Sequence, residues 1–250
     1  VPMQIKDRTI GVLEAVNKCH GFFMEEDEAI LYVTASHAAI AINKAQLFRD
    51  VERSHAELCV AYDATIAGWS RALDLRDHDT EGHSERVADL TVYLARAYGL
   101  TEEEIIHIRR GALLHDMGKL GVPDAILQKP GKLTDSERSI MLNHPQYAHQ
   151  MLSPITYLQP ALDIPCSHHE KWDGSGYPHG LKGEEIPIAA RLFAVVDVWD
   201  ALNNDRPYHK GWSRDKAIEY IRSESGKQFD PRVVDVFLVV ILEKNGPVAG

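Results

Sequence analysis

Five histidines and three aspartates of metal-ligand type recur through the last two-thirds of the chain: Asp79, His83, His115, Asp116, His144, His168, His169 and Asp197. Imidazole nitrogens mixed with carboxylate oxygens suit divalent first-row metals. Eight such groups are enough for two or three octahedral ions, more than one zinc could use. The chemistry this set would support is multi-metal hydrolysis. Two adjacencies sharpen the pattern: His115-Asp116 with Lys119 close behind, and His168-His169 ahead of Gly176-Tyr177-Pro178.

Helical spacing places most of these groups inward. His83 shares a face with Val87, Leu90 and Leu94, and Asp79 lies one turn earlier on that face. A carboxylate stacked on an imidazole there is costly unless a cation sits between them. His115 and Asp116 are expected to close a helix from Glu104 to Met117, whose Ile105, Ile108, Ala112 and Leu113 face the core. Neighbours diverge by about 100° around a helix, so both reach one ion only near its end, beside the Lys119 ammonium. His144 precedes Pro145, and Asp197 interrupts the apolar run Leu192-Phe193-Ala194-Val195-Val196. An unpaired carboxylate buried there would cost several kcal/mol, so Asp197 requires a cation. Asp200, three residues on, reads as an outer partner or cap rather than a ligand. Taken singly, each has a plainer reading. A lone inward histidine is usually satisfied by a backbone carbonyl, and His168-His169 alone reads equally well as a surface or hinge pair. Cys166, two before His168, reads as a bystander.

The elements that must position these groups are mostly α. Apolar spacing predicts helices near 27–76, 83–98, 102–118, 135–152, 187–203, 214–223 and 231–244, with one strand over 8–18 and a loop over 170–186. Thr101 with Glu104 and Thr134 with Glu137 fit capping boxes. At 250 residues, 44% hydrophobic and 26% charged, the chain can hold one large domain or a domain plus a fragment. A net charge of −10 argues against a DNA or RNA duplex as partner, but not against a phosphate substrate, because bound metal can reverse a site's sign. No apolar run is long enough to span a bilayer, and residues 1–20 lack the pattern of a signal peptide. Cys19, Cys59 and Cys166, scattered and odd in number, read as reduced thiols and imply a cytoplasmic location.

Two resemblances add to this. Ile10-Gly11-Val12-Leu13-Glu14-Ala15-Val16-Asn17-Lys18, then Phe23, Glu26-Asp27-Glu28 and Ala38-Ala39-Ile40-Ala41-Ile42, resemble the last strand and closing helix of a GAF sensor domain. Arg76-Asp77, Gly82-His83-Ser84, Arg86-Val87, His115-Asp116 and Asp197 resemble the HD superfamily of metal-dependent phosphohydrolases. His168-His169-Glu170, Trp172-Asp173-Gly174-Ser175-Gly176-Tyr177-Pro178, Asp205-Arg206-Pro207-Tyr208 and Phe229-Asp230-Pro231 narrow this to the HD-GYP subfamily. Together they imply an HD-type helical bundle around a multi-metal site over 63–245. Before it would come a connecting helix over 49–76 and the C-terminal fragment of a GAF-like domain over 1–48.

The subfamily implies a bacterial phosphodiesterase that opens cyclic di-GMP to pGpG, often onward to GMP, with two or three iron ions; manganese would suit the ligands as well. The eight residues above are then the implied ligands. Asp79 decides the count: glutamate there goes with three metals and a non-ligand such as tyrosine with two, and an aspartate, one methylene shorter than glutamate, either reaches the third ion or falls short of it, with three the favoured number. Asp116 is expected to bridge two ions. A water between ions about 3.5–4 Å apart is acidified toward ~7, so the hydroxide for attack on phosphorus forms at neutral pH. Lys119 and Arg206 would hold the phosphate, with Lys210 beside them, and Asp77 would orient a water or the leaving 3′ oxygen. Tyr177 is open to stacking on guanine, donating to phosphate or a structural role. Ala148 stands where the subfamily has glycine, and His209 where it has a basic residue. Rival readings are hydrolysis of another cyclic dinucleotide and a non-catalytic receptor. The long helix would pair two copies into a homodimer.

Overall fold

The computed structural model describes residues 1–77, 82–204 and 210–243, and it divides into two units, Val1–Tyr62 and the part from Asp63 onward. The first unit opens with an antiparallel hairpin of β1 (Pro2–Ile5) and β2 (Arg8–Val12), with Pro2 opposite Val12 and Ile5 opposite Arg8. The expectation of a single strand over 8–18 is therefore corrected. The strand ends at Val12, and it pairs with an earlier one too short to show alternation. Val1 and Leu13 exchange one further pair of hydrogen bonds, at 2.7 and 2.9 Å, after which Asn17 takes a left-handed φ of 59° that no extended run can contain.

Helix α1 (Glu25–Asp77) is 53 residues long and crosses the boundary between the units. It starts on Glu25, Glu26, Asp27 and Glu28, acidic residues that suit the positive end of a helix dipole. In the first unit it buries Ala35 and Ala39 but leaves Ile30, Val33, Ile40, Leu47, Phe48 and Val51 exposed. In the second unit its Ile66 joins the core, and Asp63 takes the guanidinium of the buried Arg110 at 2.7 Å.

The same unit carries α2 (His83–Tyr98), α3 (Glu102–Leu113), α4 (Asp124–Leu127), α5 (Asp135–Met141), α6 (His144–Leu152), α7 (Asp163–Ser167), α8 (Ile188–Asn203), α9 (Arg214–Ser223) and α10 (Pro231–Glu243), and all of these but α4 and α5 contribute residues to that core. Apolar almost all round, α8 packs against α2, α7, α9 and α10, and its Leu192, Phe193, Val195 and Val196 are fully buried. Both capping boxes form: Thr101 and Glu104 exchange bonds of 3.3 and 2.8 Å, Thr134 and Glu137 bonds of 3.3 and 2.7 Å. Residues 170–186 are irregular apart from a 3₁₀ turn at Gly183–Glu185.

Two long helices from the sequence reading are each broken. The one over 102–118 stops at Leu113, and His115 and Asp116 fall in a turn that leads to a 3₁₀ segment, Met117–Gly121. The one over 135–152 splits into α5 and α6 around Leu142 and Asn143. Pro145 forces that split, since its ring would strike the Met141 carbonyl of a continuing helix. Helix α6 then runs unbroken through Ala148, which is fully buried.

Candidate metal centre

Every imidazole but one at this centre has its Nδ1 engaged. His144 Nδ1 lies 2.9 Å from the Met141 carbonyl, the group that Pro145 left without a helical partner. His115 Nδ1 meets the Ala112 carbonyl at 2.8 Å, and His168 Nδ1 the Ile164 carbonyl at 2.9 Å. A carbonyl only accepts, so each Nδ1 carries the proton and each Nε2 presents a bare lone pair in the neutral ring. His83 Nδ1 is held at 2.7 Å by Asp200, which Arg86 grips with Nε at 3.0 Å and Nη2 at 3.1 Å. Asp200 is thus the outer partner that its sequence position suggested. Phe193 backs the set, its ring centroid 4.9 Å from that of His115 and 5.9 Å from that of His168.

The atoms that could ligate a metal ion collect into two groups, His144 with His168 and His169, and His83 with His115 and Asp197, each gathered within 4.8 Å. Asp116 stands between the groups. Its Oδ1 is 3.7 Å from His144 Nε2 and 3.9 Å from His168 Nε2, while its Oδ2 is 3.0 Å from His115 Nε2. His144 Nε2 and His168 Nε2 face each other at 3.4 Å. Two lone pairs so placed repel unless something positive lies with them, and burial resists a proton. It holds His168 well below the usual imidazole range, with the His169 and His115 charges adding to the effect, and it lowers His144 likewise. His169 falls to about 4 by burial and by His144. The donor set fits a metal cation on the all-imidazole side.

The second group is balanced differently. Burial disfavours charge on His83, yet hydrogen bonds to Asp197 and Asp200 raise it to about 10. Asp197 is buried as well, but His83 and His115 keep its carboxyl below the usual range. Asp116 is held well below that range against its own burial by His115 and Lys119. Both carboxylates stay anionic, as a ligand must.

A cavity of about 270 Å³ opens onto these groups. Lys119 lies on its wall, with its ammonium 2.8 Å from Asp116 Oδ2 and paired with Asp77. Leu127 and Met141 give it an apolar side. Tyr177 stacks on His169, centroids 4.6 Å apart and rings 23° from parallel. Its loop is held by the buried Glu170, whose carboxylate accepts from the backbone of His179 at 2.7 Å and Leu181 at 3.0 Å. Gly176 is needed in the loop, for a Cβ there would lie 2.4 Å from the Lys171 nitrogen.

An HD domain family model matches residues 69–233. The chain belongs to the HD domain family. It is 44% identical over 176 residues to a protein of Xanthomonas campestris pv. campestris named cyclic di-GMP phosphodiesterase response regulator RpfG, covering 70% of this chain and 47% of that one. It is 36% identical over 216 residues to 3′3′-cGAMP-specific phosphodiesterase 2 of Vibrio cholerae, covering 86% of this chain and 40% of that one. The chain spans about half the length of the curated relatives it matches. Among solved structures, Bd1817, a HDG"Y"P protein from Bdellovibrio bacteriovorus, superposes with a TM-score of 0.51 at 20% identity, covering 64% of this chain and 51% of that one, and this likeness speaks for the fold.

In this HD domain the structure brings together His83, His115, Asp116, His144, His168, His169 and Asp197, with Asp77, Lys119 and Tyr177 on the same cavity. Asp79, Arg206 and His209 lie outside the described residues. Lys210 is exposed and is not among the described residues lining the cavity. Cys166 is half-buried and joins neither ligand group. Sequence reasoning gave no role to Glu170, Leu127 or Met141. Glu170 carried a signal in its place directly after His168-His169, whereas the two apolar residues carried none.

Proposed function

We propose that this chain is a metal-dependent phosphodiesterase that opens cyclic di-GMP to pGpG, with GMP as a further product. Its two or three metal ions would be iron, or manganese in its place. The observation that carries this reading is the pair of bare nitrogens on His144 and His168, 3.4 Å apart beside a carboxylate facing both ligand groups. Several relatives at 37–44% identity bear the name cyclic di-GMP phosphodiesterase, which supplies the substrate class.

Bound metal would neutralise phosphoryl oxygens and acidify a water toward ~7. The chain's own residues would do the rest. His144, His168 and His169 would hold one ion and His83, His115 and Asp197 another, with the two oxygens of Asp116 shared between them; Asp79 would add to the set by its motif position. Lys119 and Arg206 would hold the phosphate, the arginine offering a planar fork to two of its oxygens, with Lys210 adding charge nearby. Asp77 would orient a water or the leaving 3′ oxygen. Tyr177 stays protonated, since burial and Asp116 raise its phenol, so it can donate to a phosphate or present its ring face to a base.

Anaerobic purification, metal quantification and turnover of cyclic di-GMP test this together. Two or three equivalents of iron, with turnover abolished by His115→Ala, would support it. Metal-loaded protein that binds cyclic di-GMP and never cleaves it would make the chain a receptor instead. A second reading, hydrolysis of 3′3′-cGAMP, is favoured by the Vibrio cholerae relative that covers 86% of this chain, and turnover of both substrates side by side separates the two. Residues 1–48 we assign to the end of a GAF-like sensor domain, 49–76 to the connecting helix and 63–245 to the catalytic domain. A homodimer through α1 belongs to the same proposal, as does a cytoplasmic location, which the free thiols of Cys19, Cys59 and Cys166 support.

A further inference from the structure

Helix α1 ends against the segment that carries Asp116 and Lys119, and its last two residues grip that segment in different ways. Asp77 takes the Lys119 ammonium in an ion pair. Arg76 ignores side chains at the cavity and holds the backbone. Its Nη1 donates to the Lys119 carbonyl at 3.0 Å and its Nη2 to the Val122 carbonyl at 3.0 Å. Nε and Nη2 also reach Asp124 Oδ1, at 3.1 and 2.7 Å, and Gln128 closes on the Arg76 carbonyl at 3.2 Å.

The far side of the same segment has no slack. A Cβ on Gly118 would fall 1.8 Å from the His144 carbonyl oxygen and 2.6 Å from the Ala148 nitrogen, so the turn lies backbone to backbone on the first turn of α6. The Met117–Gly121 turn is therefore held between α6 and the planar fork of one guanidinium. An ion pair with Asp124, 68% exposed, is worth little by itself. The two carbonyl bonds are what a shorter or non-planar side chain could not reproduce.

We propose that Arg76 is a positioning residue for Lys119: it sets, through the Lys119 and Val122 carbonyls, how far the ammonium reaches into the cavity. The last turn of α1 is thereby coupled to the phosphate-binding cation, so a change in its winding would be felt at Lys119 before any ligand histidine moves. This rests on the phosphodiesterase reading.

The test compares Arg76→Ala, Arg76→Lys, Asp124→Asn, Lys119→Met and the double variant Arg76→Ala/Lys119→Met in the full chain, each assayed for metal content and for kcat and KM on cyclic di-GMP. A displacement on the order of 1 Å predicts a fall in kcat of roughly 10–100-fold for Arg76→Ala, with metal content unchanged. Arg76→Lys does not rescue, Asp124→Asn stays within about 2-fold of wild type, and Arg76→Ala adds nothing in the Lys119→Met background. If Arg76→Ala does not fold, Arg76→Lys carries the same comparison. Wild-type kcat in the arginine variants overturns the proposal. So does metal loss in proportion to activity, or a further fall in the double variant. His115→Ala is the separate control: if it still turns over cyclic di-GMP, the phosphodiesterase reading itself has failed, whatever Arg76 does.

Discussion

The interior of the HD domain and the outer face of α1 in the first unit depart from ordinary burial in opposite directions. Around the cavity, His83, His115, His144 and His168 are each at most 4% exposed. On α1, Leu47, Phe48 and Val51 are 57%, 63% and 66% exposed, and they form one apolar surface with Ala41 and Ala45. Buried imidazoles are tolerable because their Nδ1 atoms are spent on carbonyls or on Asp200, which at His144 and His168 leaves one demand, for positive charge at Nε2. The α1 side chains make no such demand, and what they lack is a surface to cover them. One departure specifies a cation with fixed ligand atoms, whereas the other asks merely for apolar area. That is why chemistry can be read from the first and the second supports nothing narrower than association.

The largest effect should come from the polar interior. Asp116→Asn keeps the shape but removes the charge that faces both ligand groups, and turnover should fall at least ~10³-fold, several kcal/mol in the barrier. Metal content measured on the same sample should fall with it, and full activity would break the contrast. Next is Gly118→Ala, where the close approach to the His144 carbonyl leaves a methyl no room. A loss of about 3 kcal/mol is expected in denaturant unfolding of the metal-loaded protein. An unchanged midpoint would mean that the turn has slack, and the account of Arg76 would weaken with it.

The outer face gives smaller numbers. Leu47→Glu with Val51→Glu should leave unfolding within about 0.5 kcal/mol per site, as surface changes do, while weakening self-association roughly 10-fold or more in light scattering. A chain that is monomeric before and after the change would end the dimer proposal. The smallest effect belongs to an ordinary surface cap. Lys129, with the backbone and hydroxyl of Thr134, pulls the Glu137 carboxyl from 4.5 down to about 2. A lowered folded-state pKa adds stability that is complete above the unfolded value and lost as pH falls toward the folded one. The gap in denaturant midpoint between wild type and Glu137→Gln should thus be constant above pH 4.5 and close as the pH drops toward 2. A gap that widens on acidification would refute the cap's electrostatic origin.

Legibility in the sequence followed how local each cause was. Both capping boxes were visible because every partner lies within three residues. Helix α8 was visible, and so was the strangeness of Asp197 within it. Pro145 disfavours a helix continuing before it and so hints at the break at Leu142, yet the apolar spacing runs straight through both pieces and predicts one helix. The end of α3 was missed for the same reason, so His115 and Asp116 were expected on a helix and stand instead in a turn. The hairpin was half-read: β2 has the β-branched residues of a strand, whereas Pro2–Ile5 is recognisable only through its partner.

The order of residues alone settles which atoms are able to bind metal, since side-chain chemistry belongs to the residue and needs no neighbour. It also determined that a helical scaffold would carry them, since the apolar period is a local property. Tertiary structure decided which nitrogen of His83 faces inward, because its Nδ1 is held by Asp200, 117 positions away. It also decided that Asp116 divides its two oxygens between the groups, and that Arg76 reaches the backbone of Lys119 from 43 positions away. Those relations are distances between segments, and no spacing along the chain contains them.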